Sequence, residues 1–406
     1  MSSVLSEYVW REDGCFSWRI ESSHEEGGFD TYTFDLRSQK WKDYLWSHRV
    51  NIVIPKCVEH NHILLLITGS GSGLEELVFC KAFSNPLPLP CVILHDVPNQ
   101  PLFNGLYEDG LVSYTFLKFL ETQDEEWPLL LPMVKSAKKA IDMTEAFLEA
   151  KLGKLKGFIV TGASKRGWTT WLLAAVDKRV SGIIPLVFDN LNLNEQMKHQ
   201  LECYGAYSEL IQDYTRLGLQ ERMYSEIGQR LVQIIDPFNY LEYLKAPKLI
   251  INGTNDRYWT VDSSNLYFDA LLGEKYLLYV PNSGHALEDG WRVINSISAF
   301  AHSIVSNKSL PKVRVKKDGN GRIAFTLRSS EEPLYVDGWL ASSKSMDFRD
   351  SAWSSLPLLK QDGDYVYHLE RQKEYVAFFG ELSFLHSDKY VFSLSTKMNI
   401  IPPPSN

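Results

Sequence analysis

The chain has 406 residues, more than one ordinary core accommodates, so its length predicts one large and one small domain. Hydrophobic residues make up 44% and charged residues 23%, which excludes wholesale disorder. The formal charge of −8 and the lack of a basic cluster argue against nucleic-acid binding. The apolar runs are far shorter than the ~20 residues of a membrane span.

The first 60 residues, with several Trp and Tyr, are typical of strands that precede a larger core. Short apolar runs then alternate with helical patterns, which indicates βαβ units and a mostly parallel sheet. The predicted strands are 63–68, 92–97, 157–161, 183–188, 248–252 and 276–280, and the predicted helices are 133–152, 165–176, 263–272 and 287–303. The polar, aromatic stretch at about 190–246 interrupts this alternation and is predicted to be a helical, cap-like insertion.

After residue 306 the composition changes to short alternating segments separated by Gly, Asp, Ser and Pro. This pattern predicts a small antiparallel β-sandwich of the immunoglobulin or fibronectin type III kind over residues 307–406. Trp339 and Trp353 mark the region where the sandwich could bind a protein or glycan partner, with core packing as the alternative. Residues 1–306 are predicted to form the larger α/β domain.

Localisation and metal content are predicted from the N-terminus and the cysteines. No basic stretch followed by an apolar one opens the chain, so a cytoplasmic protein is predicted, with signal-independent export from a pathogen as the alternative. The five cysteines are scattered and lack C-x-x-C spacing, which predicts reduced thiols. His60 and His62 lie two apart, but no third ligand follows at a suitable spacing. No metal and no cofactor are therefore predicted.

The most informative segment joins a predicted strand to a predicted helix and reads Gly162-Ala163-Ser164-Lys165-Arg166-Gly167. A nucleophile on such a sharp turn needs small neighbours, as in the G-x-S-x-G motif. Gly162 precedes Ser164 by two residues, but the following glycine is Gly167, one position late. The pattern predicts that Ser164 is a nucleophile, with an ordinary helix N-cap as the alternative.

Two further side chains follow predicted strands. Asp256 lies in the loop after strand 248–252, and His285 lies just after strand 276–280. A histidine there can act as general base, and a carboxylate can hold its tautomer. The order Ser164, Asp256, His285 is that of the α/β-hydrolases. Asp189, at the end of strand 183–188, is the alternative acid.

An oxyanion needs two preorganised hydrogen-bond donors. The backbone N–H of Lys165 is predicted to be the first. Ser70 and Gly71, in the glycine-rich loop after strand 63–68, are predicted to supply the second, with a flexible tight turn as the alternative.

Four side chains near these positions are candidates to line a substrate pocket. Lys165 and Arg166 could favour an anionic substrate, with exposed helix-surface charges as the alternative. Tyr258 and Trp259, just past Asp256, could add an aromatic wall.

Strings of unusual sequence are spread over nearly the whole chain, at residues 7–10, 97–102, 108–109, 131–135, 162–171, 252–256, 280–285, 347–349 and 353. In these strings the chain resembles the PhoPQ-activated pathogenicity-related protein family, which has bacterial and amoebal members. The resemblance implies an α/β-hydrolase core with a C-terminal β-sandwich, and poorly defined substrates. The turn at Ser164 is also similar to that of glucuronoyl esterases, in which a basic residue after the serine assists the oxyanion. Lys165 holds that place here.

The predicted function is a serine hydrolase that works through an acyl-enzyme, with an ester of a small or anionic acyl group as the preferred substrate. One alternative is a peptidase or aminopeptidase of the same fold. The other is a non-enzymatic binding protein or secreted factor on a hydrolase scaffold, since fold and function separate readily. The predicted partners are thus a small-molecule or peptide substrate, without nucleic acid.

Overall fold

The structure, a computed structural model, describes residues 3–319, 322–370, 372–387 and 389–404. Up to residue 188 the chain forms α1 (Val4–Trp10), β1 (Ser17–Glu26), β2 (Phe29–Trp41), β3 (Tyr44–Pro55), β4 (His62–Ile67), α2 (Leu74–Ser84), β5 (Cys91–Leu94), α3 (Glu108–Thr122), α4 (Leu130–Leu152), β6 (Gly157–Ala163), α5 (Lys165–Val176) and β7 (Val180–Leu186).

The remaining chain forms α6 (Leu193–Tyr204), α7 (Gln212–Thr215), α8 (Leu219–Arg222), α9 (Glu226–Ile235), β8 (Lys248–Gly253), β9 (Lys275–Val280), α10 (Gly290–Ser306), β10 (Val313–Asp318), β11 (Arg322–Ser329), β12 (Tyr335–Ser343), β13 (Ser354–Pro357), β14 (Lys360–Gln361), β15 (Asp364–Glu370), β16 (Tyr375–His386), β17 (Tyr390–Ser395) and β18 (Asn399–Ile401). Short 3-10 helices lie at Glu209–Ile211, Pro237–Tyr240, Ser263–Leu266 and Phe268–Ala270.

The chain forms two compact units, each built from two separate stretches of sequence. Unit 1 is Met1–Phe188 with Gln212–Lys248, and unit 2 is Asp189–Ile211 with Leu249–Asn406. Strand β9 and helix α10 therefore share a unit with the strands that follow residue 306. The boundaries of these units do not coincide with the predicted domains 1–306 and 307–406. Those domains therefore stay a prediction.

Unit 1 contains a mixed sheet in the order β1-β2-β3-β5-β4-β6-β7. Strands β1, β2, β3 and β5 pair antiparallel, whereas β5, β4, β6 and β7 pair in parallel. β5 is buried throughout, and β4 and β6 at all but one residue each, because parallel strands are covered on both faces and consist of continuous apolar residues. Helix α5 packs on β6 and β7, and α4 packs on α5. The turn between β6 and α5 thus lies at the carboxyl end of a parallel strand, where open α/β sheets build their sites.

Unit 2 contains two groups of antiparallel strands, and strand β8 lies beside β9 of the first group. The first runs β9-β17-β16-β12-β13, with β18 beside β16, and the second runs β10-β11-β15-β14. Their faces meet where Phe325 and Tyr367 stack on Phe378, with ring centroids 4.1 and 5.5 Å apart. The chain after residue 306 is therefore all β, and its immunoglobulin or fibronectin type III kind stays a prediction.

The two tryptophans proposed as a partner-binding region make internal contacts. Trp353 is buried, and its ring packs on Phe379 with centroids 5.5 Å apart. Trp339 stacks on the same Phe379 at 6.4 Å and donates its indole N–H to Glu381. These contacts favour core packing over partner binding.

The structure differs from the predicted elements mainly in helices. Segment 263–272 forms two short 3-10 helices instead of one α-helix, and α1, α2 and α3 were not predicted. α2 begins after Gly73 at φ +81° and α3 begins at Glu108 at φ +47°, so neither has an ordinary N-cap signal. Among the described residues, no helix combines the length and the apolar composition needed to cross a membrane.

Candidate active site

Ser164 is the single residue that joins β6 to α5. Its backbone has φ 57° and ψ −124°, outside the regions that non-glycine residues ordinarily adopt. Its N–H donates to the carbonyl of Leu186 at 2.9 Å, and its own carbonyl accepts the first helical hydrogen bond from Trp168. The serine is half-buried, and its backbone has the strained conformation of a sharp strand-to-helix turn.

The two glycines of this segment allow strand and helix to approach closely. A Cβ at Gly162 would lie 2.8 Å from the carbonyl oxygen of Arg166, and one at Gly167 would lie 3.0 Å from Phe188 Cβ. Gly167 therefore permits the close packing that the second glycine of G-x-S-x-G permits, one position later in the sequence. The late glycine is compatible with the sharp turn, which is the point that the sequence left open.

Lys165 and Arg166, the first two residues of α5, are paired with acidic residues at the start of α3. Lys165 Nζ lies 2.8 Å from Glu108 Oε2 and 3.4 Å from Asp109 Oδ2. The Arg166 guanidinium makes two hydrogen bonds to the Glu108 carboxylate, at 2.6 and 2.8 Å, and its Nε donates to the carbonyl of Val97. Gln100 also bonds to Glu108 through its side-chain amide.

The charges of this cluster compensate each other. Burial alone would raise the pKa of Glu108, but the hydrogen bonds to Arg166 and the charges of Arg166 and Lys165 lower it to about 2. Both basic side chains are nearly buried, with 8% and 11% of their surface exposed. The hypothesis that they select an anionic substrate therefore loses its basis: they hold the turn and its neighbours together.

The glycine-rich loop that was predicted to supply an oxyanion donor lies against the same arginine. A Cβ at Gly69 would be 2.5 Å from Arg166 Nη2, so a side chain there would displace the guanidinium. The Gly71 carbonyl accepts a hydrogen bond from Arg49 at 2.7 Å. Ser70 and Gly71 themselves are exposed, and the loop ends where α2 begins.

Asp256 and His285, in unit 2, are in direct contact. His285 Nδ1 lies 2.7 Å from Asp256 Oδ2, and Asp256 Oδ1 accepts a hydrogen bond from the backbone N–H of Tyr258 at 2.9 Å. Only 4% of the Asp256 side chain is exposed, against 28% of the His285 side chain. His285 Nε2 is buried and has no hydrogen-bond partner among the described residues. The pair thus has the geometry of a histidine whose tautomer is held by a buried carboxylate.

The loops that carry this pair are fastened to each other. The Asn255 backbone N–H donates to the carbonyl of Ser283 at 2.9 Å, and the Asn282 N–H donates to Thr254 Oγ1 at 2.9 Å. Ser283 is hydrogen-bonded in turn to Glu288. Asp256 and His285 are therefore held on two mutually supporting loops.

A segment far along the chain completes this support. Asn255 Nδ2 donates to the carbonyls of Arg349 and Ser351, and Asn282 exchanges two hydrogen bonds with the backbone of Trp353. Sequence reasoning did not identify Asn255 and Asn282 as functional residues. Their positions next to Asp256 and three before His285 were the available signal.

Asp189, the alternative acid, has a different partner. The Tyr267 hydroxyl donates to Asp189 Oδ1 at 2.5 Å. Burial raises the pKa of Asp189 to about 7, and the charge of Asp256 adds to this effect. His285 is thus paired with Asp256, and Asp189 is not its hydrogen-bond partner.

The two aromatic candidates follow Asp256 directly. The Tyr258 ring lies 4.3 Å from the His285 ring between centroids, and Trp259 lies 5.8 Å from Tyr258. Both side chains are half-buried. Tyr258 therefore packs beside the histidine, as the neighbour of a base would.

Comparison with known proteins gives a family and one curated relative. Residues 5–349 match the family described as PhoPQ-activated pathogenicity-related protein. A relative from Dictyostelium discoideum, autocrine proliferation repressor protein A, is 31% identical over 376 residues, which span 86% of this chain and 76% of the relative.

Solved structures give weaker likenesses. Acetyl xylan esterase 1 from Thermoanaerobacterium sp. JW/SL YS485 is 14% identical with a TM-score of 0.46, covering 73% of this chain and 90% of that one. An acetyl xylan esterase from Paenibacillus sp. R4 is 15% identical with a TM-score of 0.48, covering 72% and 91%. The family match, in contrast, takes in Ser164, Asp256 and His285. The chain therefore belongs to the PhoPQ-activated pathogenicity-related protein family.

Proposed function

We propose that the protein is a serine hydrolase of the α/β-hydrolase fold. Ser164 Oγ attacks a carbonyl carbon while His285 Nε2 takes its proton, and Asp256 stabilises the imidazolium that forms. The backbone N–H of Lys165 and a second N–H from Ser70 or Gly71 hold the oxyanion. His285 then gives its proton to the leaving group, and water hydrolyses the acyl-enzyme by the same steps.

The observation that carries this proposal is the state of His285. Its Nδ1 is bound to a buried carboxylate at 2.7 Å, and its Nε2 has no partner among the described residues. A buried ring nitrogen without a partner is costly, so its retention suggests a functional use. The strained backbone of Ser164, earlier in the chain, supports the same conclusion.

The charge pattern supports an ester of an uncharged acyl group as substrate. The basic side chains beside Ser164 are paired with Glu108 and Asp109, so they leave little net positive charge at the turn. An ester is preferred over a peptide because its leaving group departs with less assistance from a general acid. A peptidase remains the runner-up.

A substrate panel tests the proposal. The panel contains p-nitrophenyl esters of increasing acyl length, glucuronoyl esters and aminoacyl aminomethylcoumarins, each offered to the wild-type protein and to Ser164→Ala. We expect turnover of the short uncharged esters, lost in the variant. Turnover of the aminoacyl substrates alone would favour the peptidase, and equal rates for both proteins would exclude Ser164.

A second candidate function comes from the curated relative. Its name describes an autocrine proliferation repressor, and it is 31% identical to this chain. This chain would then act as a factor that limits the growth of the cells that make it. Purified wild-type and Ser164→Ala protein added to cultures of those cells separate the two candidates. Growth repression by both proteins would mean that the factor does not need hydrolysis, whereas repression by neither would exclude the factor.

A further inference from the structure

A second group of titratable side chains lies in unit 2, outside the Asp256–His285 pair. His199, Cys203 and Asp262 each offer one ligand atom, and these atoms all lie within 4.8 Å of one another. Nitrogen, sulfur and carboxylate oxygen are the three ligand types that zinc prefers in proteins. No metal was predicted from the sequence, in which Asp262 lies far from the other two residues.

The fold gives each ligand a rigid support. His199 and Cys203 are four residues apart on α6, so they lie on one face of the helix. Asp262 directly precedes the 3-10 helix Ser263–Leu266. His199 Nε2 lies 2.8 Å from Asp262 Oδ1 and 3.4 Å from Cys203 Sγ. The carboxylate oxygen and the sulfur thus both lie beside the same ring nitrogen.

These separations are close to those of a tetrahedral zinc site. Bonds of ~2.3 Å to sulfur and ~2.0 Å to nitrogen and oxygen place neighbouring ligand atoms roughly 3.3–3.5 Å apart. The distance between Cys203 Sγ and His199 Nε2 already fits, and Asp262 needs a shift of about half an ångström away from the ring.

The surroundings suit a bound cation better than a free thiol. Cys203 is buried, with only 5% of its surface exposed. A metal ion supplies the positive charge that a buried thiolate needs.

We propose that His199, Cys203 and Asp262 bind one zinc ion, with water in the fourth position. The ion fastens α6 to the segment that follows Asp256. Hydrogen bonds already join these parts: Gln200 donates to the carbonyl of Tyr258 at 2.9 Å, and Tyr204 donates to that of Trp259 at 2.7 Å. The ion stabilises the loop on which Asp256 and Tyr258 lie.

Cobalt substitution tests the site on the full-length protein. The protein is stripped with chelator and titrated with Co²⁺ and then with Zn²⁺, in competition with a chromophoric chelator. We expect one equivalent of Co²⁺, with thiolate-to-cobalt absorption and the intense visible bands of tetrahedral coordination, displaced by Zn²⁺. The absorption should vanish in Cys203→Ser and persist in the matched control Cys80→Ser, another buried cysteine.

The other two ligands give independent tests. His199→Gln and Asp262→Asn should each weaken zinc binding at least about tenfold, because even outer-shell partners of a metal are worth about ten- to a hundredfold. Zinc should raise the melting temperature of the wild type and of Cys80→Ser, but not of the three ligand variants. Melting curves without metal show that each variant folds.

Two results would overturn the proposal. One is thiolate-to-cobalt absorption that survives in Cys203→Ser. The other is a wild-type zinc affinity no greater than that of His199→Gln, which would mean that the three side chains are joined by hydrogen bonds alone. Because binding is measured directly, neither result depends on whether Ser164 hydrolyses esters.

Discussion

The backbone of Ser164, at φ 57° and ψ −124°, stores strain that only glycine would avoid. Such a conformation costs a non-glycine residue about 1–3 kcal/mol, and it persists where function needs it. The hydrogen bond from its N–H to Leu186 and the close approach of Gly162 to α5 hold it in place.

This strain gives a stability prediction. Ser164→Gly should be more stable than Ser164→Ala by about 1 kcal/mol, because glycine accepts the conformation and alanine does not. Both variants should lack hydrolase activity. Urea denaturation of the two variants measures the difference. Equal stabilities would mean that the turn relaxes when the serine is removed.

Single substitutions also distinguish the two candidate acids, Asp256 and Asp189. Asp256→Asn should lower kcat by about ten-thousandfold, as the loss of the correct histidine tautomer does in other triads. Asp189→Asn should cost much less, because Asp189 bonds to Tyr267 and not to His285. Ester hydrolysis rates of the two purified variants decide the matter. The reverse ranking would make Asp189 the acid.

Asp189 should instead influence stability through pH. Its pKa is raised to about 7 by burial, so the folded protein holds a proton that the unfolded chain releases near pH 4. The native state therefore loses stability as pH rises from about 4 to 7. Asp189→Asn should remove this loss and gain up to ~4 kcal/mol at pH 8, but little at pH 4. A pH-independent difference between wild type and variant would contradict this account.

Arg166 connects three parts of unit 1: the turn between β6 and α5, the glycine-rich loop after β4, and the start of α3. Arg166 touches Gly69, bonds to Glu108 and reaches the carbonyl of Val97. A displacement of its guanidinium would shift both the loop and the turn that carries Ser164.

A matched pair of glycine variants tests this coupling. Gly69→Ala should lower kcat by about a hundredfold, since a Cβ there collides with Arg166 and a shift of about 1 Å at a site costs that much. Gly290→Ala, at the start of α10, should leave kcat nearly unchanged, because nothing lies within 4 Å of a Cβ there. Circular dichroism confirms that both fold. Similar rates for the two variants would show that the loop does not depend on Arg166.

Sequence patterns identified the buried strands well, because continuous apolar runs are the direct signature of a covered parallel sheet. The predicted strand 157–161 and helix 165–176 correspond to β6 and α5, which carry the serine turn. The patterns failed at α2, which follows Gly73 at positive φ, and at α3, which begins at Glu108 at positive φ, since neither has a capping signal. They could not show either that Lys165 and Arg166 are neutralised. Glu108 precedes them by 57 and 58 residues, and its contact with them depends on the tertiary structure.

At the scale of the whole molecule, the chain alternates between its two units. Segment 189–211 belongs to unit 2 and segment 212–248 returns to unit 1. The sequence suggested a single cap-like insertion over about 190–246, because composition alone does not reveal which core a helix packs on. The adjacency of His199 and Asp262 was hidden for the same reason.

If Ser164 is an activated nucleophile, a fluorophosphonate probe should label the intact chain there. We expect one covalent adduct per chain, on the peptide that contains Ser164, in the wild-type protein. Ser164→Ala should take no label, and labelling of His285→Ala should be strongly reduced. Labelling that survives in Ser164→Ala, or a folded wild-type protein that takes no label, would contradict this assignment of Ser164.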